Sequence, residues 1–115
     1  MRSIQSLPKD AFHALARKQF KALAAELGLQ KGEYDLRTNK AGPAVLGETT
    51  LHTDKIYVQV GGSASCYLMY RTCDGRKDYC GRQNWYMQID TLRNVKAMAN
   101  HIRALIGTNN ATSTA

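Results

Sequence analysis

A chain of 115 residues, of which 43% are hydrophobic, fits one globular domain and excludes both a multidomain protein and a wholly disordered chain. Its 16 lysine and arginine residues outnumber 9 acidic ones, and the net charge of +7 favours a polyanionic partner. No run of about 20 apolar residues is present, which excludes a transmembrane helix. Because no signal-peptide pattern follows Met1 and the 3 cysteines are typical of free thiols, we expect a cytoplasmic protein.

The positive charge is concentrated towards the two ends of the chain. Residues 1–46 carry eight basic and four acidic residues, and residues 47–90 carry five of each. Residues 91–115 carry three basic residues and no acid. Small proteins are also often basic for solubility alone, so the charge does not identify a partner.

The first predicted element is an amphipathic helix. Apolar residues recur at spacings of three and four over residues 12–27, as on one buried helical face. Ser6 is the predicted cap, Pro8 fits the first turn, and Gly28 is the predicted end.

The middle of the chain predicts strands. Residues 30–47 form a polar connection with no clear period, in which we expect short extended pieces at 34–36 and 44–46. Residues 55–60, KIYVQV, alternate cleanly between apolar and polar side chains, as a half-buried strand does. Composition and alternation predict three more strands, at residues 48–51, 66–73 and 84–89.

A second amphipathic helix closes the chain. It is predicted to begin at Asp90 or Thr91 and to end at Gly107, with residues 108–115 as a disordered polar tail. Its buried face is predicted to consist of Leu92, Val95, Met98, Ala99, Ile102 and either Leu105 or Ile106. His13 and His101, one in each helix, are expected to be solvent-facing or boundary residues rather than ligands.

The order α-β-β-β-β-α predicts a single α+β domain over residues 1–107. Strands joined by short turns pair antiparallel, and two amphipathic helices need one apolar sheet face to cover. We therefore expect a two-layer antiparallel sheet of three to five strands with both helices packed on one face.

One segment resembles a known family in topology alone. An α-β-β-β-α order, with residues 52–62, HTDKIYVQVGG, before a second hairpin and a helix, resembles the double-stranded RNA-binding domain family. The lysine-rich motif of that family at the start of the last helix is absent, because this helix begins DTLRNVKAMA. No site residue is carried over from the resemblance.

Alternation also predicts which side chains lie on the open face of the sheet. If Ile56, Val58 and Val60 point towards the helices, their neighbours point away from them. The outward set is Tyr57, Gln59, Tyr67, Arg71, Tyr86 and Gln88. Aromatic rings among amide groups suit stacking on bases, although such residues are also ordinary on solvent-facing strands.

Basic residues lie beside this face and on the last helix. The predicted nucleic-acid-binding set is Arg71, Arg76, Lys77, Tyr79, Arg82, Arg93, Lys96 and Arg103, with the cations on phosphates. Tyr57, Tyr79 and Tyr86 are expected to stack or pack. Asp74 and Asp78 partly neutralise the connection over residues 74–84, which would also suit a solvated turn.

A catalytic site has less support. His52 and Asp54 lie two apart on a strand, so a base with an orienting carboxylate is conceivable. No phosphate loop, nucleophile elbow or paired-carboxylate motif accompanies them. We expect a non-catalytic protein without a cofactor.

The cysteines do not predict a metal. Cys66, Cys73 and Cys80 lack paired C-x-x-C spacing, and adding His52 gives a set without diagnostic spacing. A bridge between Cys73 and Cys80 is conceivable, but buried free thiols are the default.

We therefore expect a small basic protein that binds nucleic acid, either DNA or RNA. The alternative is a protein-binding inhibitor or adaptor, of the type that mobile genetic elements encode, which binds an acidic protein surface through its tyrosine-rich face. A third hypothesis is a binder of a small anionic ligand such as a nucleotide. Homodimerisation through a sheet edge is compatible with each.

Overall fold

The computed structural model describes residues 4–40, 46–62, 66–78 and 83–114. In chain order, one α-helix precedes five β-strands and a second α-helix follows them. The elements are a 3-10 turn at Ile4–Ser6, α1 (Lys9–Glu26), β1 (Tyr34–Asn39), β2 (Gly47–Thr53), β3 (Ile56–Gly62), β4 (Cys66–Thr72), β5 (Trp85–Met87), a 3-10 helix at Ile89–Arg93 and α2 (Val95–Thr114). Over the described ranges, no helix is long and apolar enough to span a membrane.

The five strands form one antiparallel sheet in the order β1-β2-β3-β4-β5, so every strand pairs with its neighbours in sequence. The helices pack on every second residue of the strands, and together they form one hydrophobic core. Val58 and Leu68 belong to this core: Val58 lies opposite a residue of β2, and Leu68 lies opposite a residue of β3. We call the helix-covered side the inner face and the other side the outer face. The predicted α+β fold, with both helices on one face of an antiparallel sheet, is confirmed.

The ends of α1 show one difference from the prediction. The helix begins at Lys9, and its N-cap position is Pro8 rather than the predicted Ser6. Ser6 is instead the last residue of the preceding 3-10 turn. Gly28 ends the helix as predicted, with a φ of +80° that a residue without a Cβ adopts readily. The Leu29 N–H then donates to the Ala24 carbonyl at 2.9 Å.

β1 fills much of the segment predicted to be a connection. It pairs with β2 along its whole length, from Tyr34 opposite Thr53 to Asn39 opposite Glu48. This long-range pairing outweighs the weak local preference of aspartate and asparagine for strands. The second predicted piece, at residues 44–46, falls mostly outside the described residues.

The C-terminal part differs from prediction in its boundaries. β5 has three residues rather than six, because Ile89 already begins a 3-10 helix. α2 starts at Val95, later than predicted, and the Asn94 side-chain oxygen accepts from the Ala97 N–H at 3.1 Å as its cap. The helical backbone continues through Gly107 to Thr114, so the predicted helix end was wrong and the backbone of the predicted tail is helical.

A chain of hydrogen bonds joins α1 to the inner face. The Leu46 carbonyl can only accept, so His13 Nε2, at 2.7 Å, carries the ring proton. In a ring with a single proton, His13 Nδ1 accepts from the Thr49 hydroxyl at 2.8 Å. Thr49 is bonded in turn to Thr38 at 3.0 Å, which accepts from Arg17 at 3.1 Å. His13 is 2% exposed, so the expectation of a solvent-facing or boundary residue was wrong.

We expect Thr49→Val to lower the free energy of unfolding by about 1–3 kcal/mol, because valine keeps the side-chain shape but removes the donor to a buried ring nitrogen. Thr50→Val is the matched control. Thr50 lies on the same strand but the opposite face, and its bond to Gln59 is long, at 3.4 Å. Urea unfolding followed by circular dichroism measures both variants. Equal losses for the two would contradict a stabilising role for the His13 chain.

Candidate nucleic-acid interface

The strand register places most of the predicted sheet-face residues together on the outer face. Tyr57 lies opposite Arg71, Gln59 lies opposite Met69, and Met69 lies opposite Tyr86. Tyr67 belongs to the next row, opposite Gly61. Gln88 is exposed but follows β5 and precedes the 3-10 helix, so it does not lie on the sheet.

The ring of Tyr57 is already stacked. The Arg71 guanidinium lies over it, 4.2 Å from the ring centroid, and the His52 ring makes an edge contact at 4.9 Å. Arg71 is 7% exposed and also donates to the Asn84 side chain at 3.2 Å. A base could stack on Tyr57 only by displacing one of these neighbours.

The side-chain amide of Gln59 forms hydrogen bonds with two tyrosine hydroxyls on this face, those of Tyr57 and Tyr67. The Tyr57 hydroxyl donates to the Gln59 carbonyl oxygen at 2.7 Å, and the Gln59 amide donates to the Tyr67 hydroxyl at 2.6 Å. Burial raises the pKa of Tyr67, so this residue stays a neutral phenol. These three side chains hold one another in place.

In the described part of the chain, the exposed aromatic side chains lie on β5. Tyr86 is 64% exposed on the outer face, and Trp85 is 44% exposed. Trp85 shares the inner side with its partner Tyr70, but it lies on an edge strand that the core covers incompletely.

His52 and Asp54 do not form a catalytic pair. His52 is fully buried, its Nε2 donates to the Gly75 carbonyl at 3.0 Å, and its Nδ1 faces Arg37 at 3.4 Å. Asp54 instead accepts from Arg76 at 3.1 Å. The hypothesis of a base with an orienting carboxylate at this strand end was wrong.

The connection from β4 to β5 crosses one end of the sheet. Arg76 reaches the far strand, where it lies 3.8 Å from Asp35 and donates to the Gly32 carbonyl at 2.8 Å. These contacts and the pair with Asp54 occupy Arg76, whereas Lys77 is exposed. Tyr79 and Arg82 lie outside the described residues, so their predicted roles stay predictions.

The predicted cations of the last helix lie on the other side of the sheet from Arg71. Lys96 and Arg103 are exposed on α2, and Arg93 is half-buried in the preceding 3-10 helix. Arg103 donates to the Glu26 carbonyl, at the end of α1, at 2.6 Å. The predicted site residues therefore divide between two opposite surfaces.

The site prediction omitted two residues of the helical surface. Lys18 and Lys21 are exposed on α1, three positions apart and so on one side of the helix. Among the described residues, neither lies within ion-pair distance of an acid. Their positions off the apolar stripe were visible in the sequence.

Two cavities are open to solvent. One, of about 320 Å³, lies on the outer face between β1 and β3, with Arg37 and Gln59 among its lining residues. The other, of about 350 Å³, has an apolar floor that includes Leu27 and Ile106, and Lys55 and Arg103 lie at its rim.

The two described cysteines are thiols. The Cys73 thiol donates to the Thr53 carbonyl at 3.3 Å, and burial raises the pKa of both Cys73 and Cys66. In the described part of the chain, no three His, Cys, Asp or Glu residues cluster closely enough to hold a metal ion. Cys80 lies outside the described part, and because Cys73 is a free thiol, the conceivable bridge between Cys73 and Cys80 is not formed in this structure.

Comparison with known proteins does not assign this chain to a family: no family model, curated protein or solved structure matches it. The topological resemblance to the double-stranded RNA-binding domain thus has no family match beside it, and the sheet has five strands where that order has three.

The free energy of unfolding should rise as the pH increases towards about 6.5 and then level off, with His52 as one source of the slope. Burial has the largest effect and lowers the pKa of His52 below its ordinary value of 6.5. The positive charge of Arg37 also lowers this pKa, whereas the hydrogen bond to the Gly75 carbonyl raises it. The unfolded chain therefore takes up the proton first as the pH falls, which destabilises the fold.

Urea unfolding over a pH series measures this slope. His52→Gln, which keeps a donor for the Gly75 carbonyl, should flatten it, whereas His101→Gln at an exposed position should not. An unchanged slope in His52→Gln would contradict the assignment.

Proposed function

We propose that the protein binds nucleic acid, DNA or RNA, without catalysis, and that the layer formed by α1 and α2 contacts the phosphates. The observation that supports this proposal is where the charge lies. Residues 1–29 carry five basic and two acidic residues, and residues 91–115 carry three basic residues and no acidic one. Residues 30–90, which include the sheet, carry eight basic and seven acidic residues. Of the net charge of +7, +2 belongs to α1 and +2 to α2, and these two helices pack side by side on the inner face.

The accessible lysines of the helical layer support phosphate binding. Lys18, Lys21 and Lys96 are exposed, and no acid within the described ranges lies at ion-pair distance from them. A phosphate oxygen can replace water around such an ammonium group without breaking an internal pair. Arg76 differs, since binding a phosphate there would compete with Asp54 at 3.1 Å.

Recognition of this kind is directed at the backbone. Lysine contacts to phosphate fix the position of the nucleic acid but carry no sequence information. Each contact releases condensed counterions, so affinity should depend strongly on salt. We propose a binder with weak sequence preference, located in the cytoplasm, where the described thiols stay reduced.

A protein partner is the second candidate. Tyr86 and Trp85 are the large hydrophobic side chains that the structure leaves exposed, at 64% and 44%, and aromatic residues are enriched in protein interfaces. An inhibitor or adaptor that binds a protein with an acidic surface would use the edge of the sheet formed by β5. A small anionic ligand would instead use the cavity beside Arg103 and Lys55. A homodimer would present two helical layers at once.

We expect the triple variant Lys18→Ala, Lys21→Ala, Lys96→Ala to weaken binding to short labelled DNA and RNA. It should also make the slope of log affinity against log salt shallower by about 0.9 per lost duplex contact, because fewer counterions are released. Fluorescence anisotropy over a salt series measures both quantities. The matched control replaces three exposed lysines of the sheet side and its connections: Lys31, Lys55 and Lys77.

The control variant should bind as the wild type does. Loss of binding in the control alone would move the interface to the sheet side, and loss in Tyr86→Ala alone would favour stacking on the outer face. No binding by the wild type at low salt would overturn the proposal and direct the search to protein partners.

A further inference from the structure

One edge of the sheet is a strand long enough to pair with another. β1 has six residues and pairs with β2 on one side, and no described strand lies on its other side. The opposite edge strand, β5, has only three residues. Outward backbone N–H and C=O groups of an edge strand are a template for another strand.

The sequence of β1 is self-complementary in one antiparallel register. Partners in an antiparallel pair face the same side of the sheet, so a two-fold axis places one residue opposite itself. With Leu36 on the axis, Asp35 of each copy lies opposite Arg37 of the other, on the outer face. An axis at Arg37 or at Asp35 would place two like charges opposite each other, which is unfavourable.

We propose that the protein forms a homodimer through β1, with Leu36 opposite Leu36 of the second copy. Both charged side chains are accessible: Asp35 is 48% exposed and Arg37 is exposed. Leu36 is half-buried against the core on the inner face, so the second leucine covers its remaining apolar surface. The pairing thus gains two opposite-charge contacts, one apolar contact and the backbone bonds of the edge.

The dimer joins two five-stranded sheets into one of ten strands. A two-fold axis perpendicular to the sheet leaves both helical layers on the same side. The basic surfaces of the two copies then lie next to each other and can contact one nucleic acid together. This last consequence rests on the proposed function, whereas the dimer itself does not.

Charge reversal tests the register. Asp35→Arg and Arg37→Asp each place like charges opposite each other, so sedimentation velocity should show each variant as a monomer where the wild type is a dimer. An equimolar mixture of the two variants restores both opposite-charge contacts and should sediment as a heterodimer. Lys55→Asp, an exposed charge at the β2–β3 turn, is the control and should stay dimeric.

A monomeric wild type throughout a dilution series would overturn the proposal, as would a mixture that stays monomeric while both variants keep the wild-type circular dichroism spectrum. If either reversal unfolds the chain, a cysteine scan decides. Leu36→Cys should form an intermolecular disulfide under mild oxidation, because paired Cα atoms lie about 5 Å apart.

Thr38→Cys should not cross-link, because four residues separate the two copies of this position along the strands, roughly 13 Å. The wild type, run on the same non-reducing gels, shows how much cross-linking the natural cysteines cause by themselves. Equal cross-linking at both positions would overturn the register. None of these measurements contains nucleic acid, so their failure leaves the proposed binding to be judged separately.

Discussion

The register of the three central strands is the constraint on which the rest of the structure depends. Ile56, Val58 and Val60 reach the core only in the pairing observed, because a slip of one residue would turn all three to the outer face. The same register places Tyr57 against Arg71 and Gln59 against Met69 on that outer face. The polar layer of the sheet is thus a direct consequence of how its apolar side is buried.

That polar layer is largely satisfied within the protein. His52, Tyr57 and Arg71 stack in one row across neighbouring strands, and Gln59 binds two tyrosine hydroxyls. Residue types that suit base stacking and phosphate contact therefore stabilise the sheet and its long connection. On the helical side, Lys18, Lys21 and Lys96 are exposed, and none of them lies at ion-pair distance from an acid within the described ranges.

The sequence predicted the fold class, the core strands and the facing of their side chains, since these follow from local periodicity. It did not predict that His13 is buried, because the acceptor and donor that satisfy it lie 33 and 36 residues away. β1 was underestimated for a similar reason: its pairing with β2 stabilises a segment that has little strand preference. The pairing of Arg76 with Asp35 and Asp54 likewise depends on how a long connection crosses the sheet.

The two helices, which carry +4 of the net charge of +7, lie before and after all five strands in the chain. Gln19 of α1 donates to the Leu92 carbonyl of the 3-10 helix at 2.9 Å, across 73 residues. Arg103 of α2 donates to the Glu26 carbonyl of α1, across 77 residues. Every strand, by contrast, pairs with its neighbour in sequence. The sheet can therefore form hairpin by hairpin, whereas the combined cationic surface exists only after the two ends of the chain have met. A polyanion that binds across both helices, as proposed, would therefore bind the fully closed chain and not its folding intermediates.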